Sequence, residues 1–289
     1  MTTLRIGAAT AARIEETYEP NFRADKFFPD WDAALAEKHM RWLAPDHYVP
    51  ETGYLKLSVH SWLLTLGGKR ILIDACVGNH KPRPHRPKWS MLETPYLARL
   101  AAAGAMPEQI DMVMCTHLHV DHVGWNTRMM DGRLKPTFPN AKYVFSKREF
   151  EHWKQATDPG FAAVHEDCVQ PIVDAGQALL VDDAFVLSNE LSLIPTPGHS
   201  PGHVCVNLES QGQRAIFTGD MMHHCAQVLQ PDWSSCFCFD VKQSAETRWQ
   251  FFREHVNTDT LVIPTHFPGT TAGHIKPLRD AYEFKFLTP

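Results

Sequence analysis

Short apolar stretches bounded by polar residues recur along this chain at strand-like lengths, and turn residues join several of them into hairpins. Leu57 to Leu66, then Gly67-Gly68, then Lys69 to Asp74 predicts the first, because paired glycines supply the positive φ of a tight turn. Val204 to Leu208, a turn at Ser210-Gln211-Gly212 and Arg214 to Thr218 repeat the arrangement in the second half. Ile110 to Cys115, Leu191 to Ile194 and Thr260 to Thr265 read as further strands. Helices fit between: Thr94 to Ala103, stopped by Gly104, and Ser146 to Gln155, where Ser146 and Glu149 form a capping box. A third, Val241 to Val256, carries Trp249, Phe252 and Val256 at helical spacing as core residues. Two similar halves with helices on both outer faces predict an α/β fold, a four-layer αβ/βα sandwich, with residues 1–289 as one domain.

The run Thr116-His117-Leu118-His119-Val120-Asp121-His122 leaves the end of one predicted strand and holds three imidazoles and one carboxylate between positions 117 and 122. These are ligands that Zn²⁺ accepts. Neighbouring side chains point in different directions, so a single ion cannot easily take all four, and two ions are expected. The carboxyl ends of strands are also where open α/β sheets bind ligands. Three more predicted strands end in candidate ligands: His199 after Pro195-Thr196-Pro197-Gly198, Asp220 after Gly219, and His266 after Thr265. Each alone is weak; their joint occurrence carries the reading. Asp74, closing the first hairpin, is either a turn carboxylate or a group that orients a ligand histidine through its free N–H. His203 is a second candidate for such support.

The HxHxDH run followed by a distant His199, Asp220 and His266 resembles the metallo-β-lactamase superfamily, from the hairpin near residue 57 to His266. The resemblance implies one metal held by His117, His119 and His199, a second held by Asp121, His122 and His266, and Asp220 bridging the two. Zinc is the expected ion, with iron, manganese or cobalt as alternatives. Asp220 stands where true β-lactamases often carry a cysteine, so antibiotic cleavage is not expected.

Four further runs, Asp121-His122-Val123-Gly124-Trp125-Asn126, Pro136-Thr137-Phe138-Pro139-Asn140-Ala141, Gly219-Asp220-Met221-Met222-His223-His224 and His266-Phe267-Pro268, are similar to the lactonase and methyl parathion hydrolase branch. Members of that branch hydrolyse acyl-homoserine lactones, aryl esters and lactones, or organophosphate triesters, and many are homodimers. The resemblance therefore implies a small-molecule ester or lactone substrate and a homodimer; the chemistry of a two-metal site supplies the expected nucleophile, a metal-bridging hydroxide, with Asp121 beside it to carry a proton to the leaving oxygen.

Quorum-quenching lactonases tend to place a tyrosine where His223 stands, donating to the substrate carbonyl. His223 in that role favours lactones and activated esters over phosphotriesters; the bland alternative is a polar pocket wall. His223, His224, Trp125, Phe267 and Trp89 are the expected substrate contacts. Organophosphate triester hydrolysis is the runner-up. A diiron redox protein is the alternative from another class, and would need a flavin-binding domain or partner. Lys276, Arg279 and Lys285 are too few for the basic segment of a glutathione thioesterase.

Charge and composition narrow the partners. Formal net charge is −5 and no long Lys/Arg run appears, which argues against nucleic acid. Met1 to Thr10 lacks a signal-peptide apolar run, and no stretch approaches the ~20 apolar residues of a membrane span, so a cytoplasmic protein off the membrane is expected. The seven cysteines are odd in number and lack framework spacing, so they are expected reduced. Cys236-Phe237-Cys238 would place its thiols on opposite faces of a strand as packing residues. Tyr18 to His47, with Phe22, Phe27, Phe28, Trp31 and Trp42, suggests an arm across the site or a neighbouring subunit, or equally a strap over its own core. Asn79 to Trp89, with Pro82, Pro84 and Pro87, reads as a stiff exposed loop that brings Trp89 to a pocket mouth.

Overall fold

The computed structural model describes residues 2–279 and 281–288, and all of their side chains except those of Pro20 and Asn21. The first sheet contains β1 (Thr3–Ile6), β2 (Ala9–Arg23), β3 (Tyr48–Val49), β4 (Tyr54–Leu66), β5 (Lys69–Ile73) and β6 (Met112–Met114). After a separate hairpin of β7 (Thr127–Met130) and β8 (Arg133–Pro136), β9 (Lys142–Ser146) and β10 (Ala178–Val181) complete it, in the order β1-β2-β4-β5-β6-β9-β10 with β3 also on β4. The second sheet runs consecutively through β11 (Leu191–Pro195), β12 (Val204–Ser210), β13 (Gln213–Phe217), β14 (Leu261–Ile263), β15 (Gly273–Leu278) and β16 (Ala281–Phe286).

Period-two alternation assigns the layers. Trp62, Leu64 and Leu66 of β4 and Ile71 and Ile73 of β5 face Val204, Val206 and Leu208 of β12 and Phe217 of β13 in one core between the sheets. The intervening Leu63 and Leu72 face the opposite way, under Tyr96 and Leu100 of the helix Tyr96–Ala102 and beside Phe150 and Trp153 of the helix Lys147–Trp153. Cys205 and Ile216 likewise turn outward under Phe251 and Phe252 of the helix Val241–His255. Three apolar cores separating four layers make the αβ/βα sandwich expected from the sequence. No helix among the described residues is long and apolar enough to cross a membrane.

Several local expectations need correction. The helix Val241–His255 buries Ser244, Arg248, Phe251, Phe252 and His255, so Trp249 and Val256 lie at the edge of its buried stripe. Cys236-Phe237-Cys238 lies in a loop, which frees the two thiols from strand geometry. The 79–89 loop is exposed at its three prolines as expected, but two basic residues anchor it: Lys81 Nζ is buried and donates to Gly124 O (2.8 Å) and Thr127 O (2.7 Å), and Arg83 pairs with Asp167 (2.7 Å). Of the arm, residues 18–23 finish β2 and the rest forms short helices. Phe27 and Phe28 are buried with Met221, Met222 and Trp233, so the arm straps the chain's own core, and its Phe22 and Phe27 also reach across the site.

Candidate metal centre

Every expected ligand sits just beyond the carboxyl end of a strand. β5 is parallel to β6, and β13 is parallel to β14, so the ends of each pair open on one edge. His117 and His119 follow β6, with Asp121 and His122 on the one-turn helix Val120–Val123; His199 follows β11, Asp220 follows β13 and His266 follows β14. Gly219 (φ +50°) makes the last turn into Asp220, and a Cβ there would lie 2.7 Å from both His203 Nε2 and Thr116 Oγ1.

The seven side chains converge as two sets around Asp220. His199 Nε2 lies 3.1 Å from His117 Nε2, 2.9 Å from His119 Nδ1 and 3.3 Å from Asp220 Oδ2. The other oxygen, Asp220 Oδ1, lies 3.3 Å from His122 Nε2 and 3.0 Å from His266 Nε2, which is 3.6 Å from Asp121 Oδ2.

The outer ring nitrogens show which inner ones are free to coordinate. A carboxylate or carbonyl oxygen can only accept, so His122 Nδ1 donates to Asp74 Oδ2 (2.9 Å) and His266 Nδ1 to Ser58 O (2.8 Å). Thr116 Oγ1 donates to Asp74 and accepts from His117 Nδ1 (3.2 Å), and His199 Nδ1 faces Cys238 Sγ at 3.8 Å. These partners leave neutral His122 and His266 with Nε2 lone pairs turned toward Asp220 Oδ1 at 3.3 and 3.0 Å, an arrangement that is repulsive unless a proton or a cation lies between them. His122 Nε2 and Asp220 Oδ1 are buried with no hydrogen-bond partner. The donor set therefore fits divalent cations, with imidazole and carboxylate suiting zinc.

Burial pushes His117 and His199 down and His119 to about 3, toward the neutral form that coordinates metal. Burial acts the same way on His122 and His266. There, however, the Asp220 carboxylate, with Asp74 beside His122 and Asp121 beside His266, outweighs it and raises both. A proton and a cation compete for those two nitrogens, which couples cation affinity to pH.

Asp74 reaches one histidine of each set, directly to His122 and through Thr116 to His117, from a left-handed backbone (φ 57°) that ends β5. His203 lies behind Asp220: its Nε2 accepts from Asp220 N (2.9 Å), while Thr196 Oγ1 holds its Nδ1 at 2.8 Å.

Above the cluster opens a cleft of about 330 Å³ whose walls are largely aromatic and aliphatic, among them Phe22, Phe27, Trp89, Phe161, Val164 and Phe237. His223 and Trp89 line it as expected positions for substrate contact, and the arm contributes Phe22 and Phe27. Three other expected contacts turn elsewhere. Trp125 donates its indole N–H to buried Glu16 (2.6 Å) and stacks on Tyr96. Phe267 is fully buried against Phe284 and Phe286. His224 Nε2 donates to His47 O (2.8 Å) and its Nδ1 accepts from Ala226 N, so both nitrogens of that ring are engaged away from the cleft.

Two supporting residues escaped sequence reading. Glu149 caps no backbone N–H at Ser146. Its fully buried carboxylate instead accepts from Leu118 N (3.2 Å) in the histidine-rich loop, Gly202 N (2.9 Å) in the His199 loop, and Trp153 Nε1 (2.5 Å). Arg248 is buried on its helix and donates to Met221 O, Pro231 O and Trp233 O, fixing the segment that follows Asp220. The S-x-x-E signature and an arginine one turn before Phe251 and Phe252 on a helix were the available signals.

Residues 55–266 match the family model of the metallo-beta-lactamase superfamily, and the chain belongs to that superfamily. Among curated relatives, an atrochrysone carboxyl ACP thioesterase of Aspergillus fumigatus is 32% identical over 161 residues, 56% of this chain and 39% of that protein. The N-acyl homoserine lactonase AttM of Azorhizobium caulinodans is 30% identical over 117 residues, 37% of this chain and 39% of that protein. The matched segment thus spans under half the length of either relative. Two solved structures superpose almost end to end, both with TM-score 0.83: the hydrolase AbOPH of the β-lactamase superfamily (24% identity, 100% of this chain and 97% of that one) and AidC, a dizinc quorum-quenching lactonase (20% identity, 99% and 97%). At these identities the likeness is one of fold.

Proposed function

We propose that this chain is a dinuclear-metal hydrolase that opens lactones or cleaves activated aryl carboxylic esters. The observation that carries the reading is the pair of ligand sets sharing Asp220, one carboxylate oxygen toward each, on the floor of an apolar cleft. His117, His119 and His199 would hold one cation, Asp121, His122 and His266 the other, and zinc is the ion proposed. When bound, two such cations acidify water toward neutral pH and polarise a substrate oxygen.

The chain's own residues supply the rest. The aromatic walls bind the acyl or aryl group and keep bulk water from the reacting carbon. Asp121, whose carboxylate lies beside His266 and lines the cleft, moves a proton to the oxygen of the departing alcohol. His223 Nε2 lines the cleft 3.3 Å from Asp220 Oδ2, and burial pushes the ring toward the neutral form; its single N–H faces Asp220 here and would turn to a substrate carbonyl once the cations engage that carboxylate. The named activities of the relatives, lactone opening and thioester cleavage, both involve an acyl carbon. A homodimer is the proposed assembly, tested by light scattering.

Turnover of a panel of lactones, aryl esters and a phosphotriester, before and after complete chelation, tests the reading. Activity on the carbonyl substrates should vanish with the metal and return on adding zinc; hydrolysis that survives chelation would refute the proposal. Replacing His223 with leucine should lower lactone turnover more than triester turnover, and an unchanged ratio would remove His223 from the mechanism.

A further inference from the structure

We infer that Arg86 forms an anion-binding subsite at the end of the cleft away from the metal centre, so that the preferred substrates are esters or lactones whose apolar acyl or aryl part ends in a carboxylate or similar anion. This rests on the hydrolase reading above and adds the substrate's distal group to it.

Arg86 lies in the cleft wall, half-buried, with its guanidinium carbon 4.8 Å from the centroid of the Phe237 ring. Its loop is held rigid. Lys81 anchors one end through Gly124 O and Thr127 O, Arg83 is tied to Asp167, and the backbone closes on itself through Arg86 N to Arg83 O and Trp89 N to Arg86 O. Arg83 thus has its carboxylate. Among the described residues no carboxylate lies within ion-pair distance of the Arg86 guanidinium. Asp158, another residue of the cleft lining, caps the start of its helix through Oδ1, which accepts from Gly160 N and Phe161 N. A fixed, partly desolvated cation set in an apolar wall favours a ligand that brings the missing anion, and a guanidinium presents paired donors to a carboxylate.

The rings between Arg86 and the metal centre set the reach. Phe237 packs on Phe27 (centroids 5.7 Å apart), Phe27 on His223 (5.4 Å), and His223 Nε2 lies 3.3 Å from Asp220. A substrate with its carbonyl over Asp220 therefore runs its apolar part along this ladder and delivers its far end to Arg86.

The test compares 4-nitrophenyl octanoate with the half-ester 4-nitrophenyl hydrogen suberate, equal in chain length and differing in the distal carboxylate, on metal-loaded wild-type protein, Arg86→Gln and Arg86→Lys. Arg86→Gln should raise KM for the suberate ester roughly ten- to a hundredfold, the worth of one charge-assisted pair. KM for the octanoate ester and both kcat values should stay within about twofold, and Arg86→Lys should restore part of the preference. Equal KM changes for the two esters, or no suberate preference in the wild type, would overturn the subsite. If wild-type protein hydrolyses neither ester, the aryl-ester half of the hydrolase reading fails separately. Calorimetric binding of suberate against octanoate then decides the subsite: it stands if Arg86→Gln abolishes the advantage of suberate and falls if it does not.

Discussion

Replacing Glu149 with alanine would strip one acceptor from three donors that belong to three different segments: Leu118 N, Gly202 N and Trp153 Nε1. Glu149 has no solvent exposure, so no bulk water stands ready to satisfy them. Each orphaned buried donor costs about 1–3 kcal/mol. The three losses do not simply add, and removing the carboxylate also relieves its own desolvation, which burial expresses by pushing its pKa up. A net loss of about 3–5 kcal/mol is expected, in the range for breaking a buried charged network. Glu149→Gln keeps the shape and one carbonyl oxygen but turns an N–H toward a donor, so about 1–3 kcal/mol is expected.

The consequence for the metal centre is more telling than the stability itself. Glu149 is the shared acceptor that holds the loop of His117 and His119 against the loop of His199, so loosening it should weaken the His117/His119/His199 set selectively. Urea unfolding of the chelated protein gives the stability change, and zinc competition titration gives the two affinities. Glu149→Gln should fold cooperatively and bind one equivalent about tenfold more weakly for each 1.4 kcal/mol of strain passed to the site, leaving the other near its wild-type value. Wild-type affinity for both equivalents, combined with a full loss of stability, would show that Glu149 supports packing alone and refute the reasoning.

Asp74→Asn removes the acceptor of His122 Nδ1 while keeping the volume, and should lower metal affinity or activity about ten- to a hundredfold, read by the same titration. His47, pushed by burial from 6.5 to about 4, should make the protein acid-sensitive. Between those two values the unfolded chain takes up a proton that the folded chain refuses, so stability is lost as pH falls through that window. At about 1.36 kcal/mol per unit the loss is on the order of 3 kcal/mol. His47→Phe preserves the ring stacked on Phe286 and the backbone carbonyl that accepts from His224, and should flatten that limb in urea titrations between pH 7 and pH 4. An unaltered slope would assign the acid sensitivity elsewhere.

Much of this protein is local and therefore legible in its sequence. The hairpins around Gly67-Gly68 and Gly212 follow from glycines with positive φ between apolar runs, and the seven candidate ligands follow from imidazoles and carboxylates placed just past those runs. What the tertiary structure decided is direction. Phe267, next to His266, and Trp125, three residues past His122, turn into separate cores, where Phe284 and Phe286 enclose the one and Glu16 and Tyr96 hold the other. Glu149 has the spacing of a helix cap, but a carboxylate carries two oxygens, and the partners that claimed them come from loops far along the chain. The composition of the aromatic arm and the proline-rich loop suggests that both border the site, but which of their side chains meet in one cleft, Phe22, Phe27, Arg86 and Trp89, was decided only by packing, since burial of one surface against a distant one is not encoded in residue spacing.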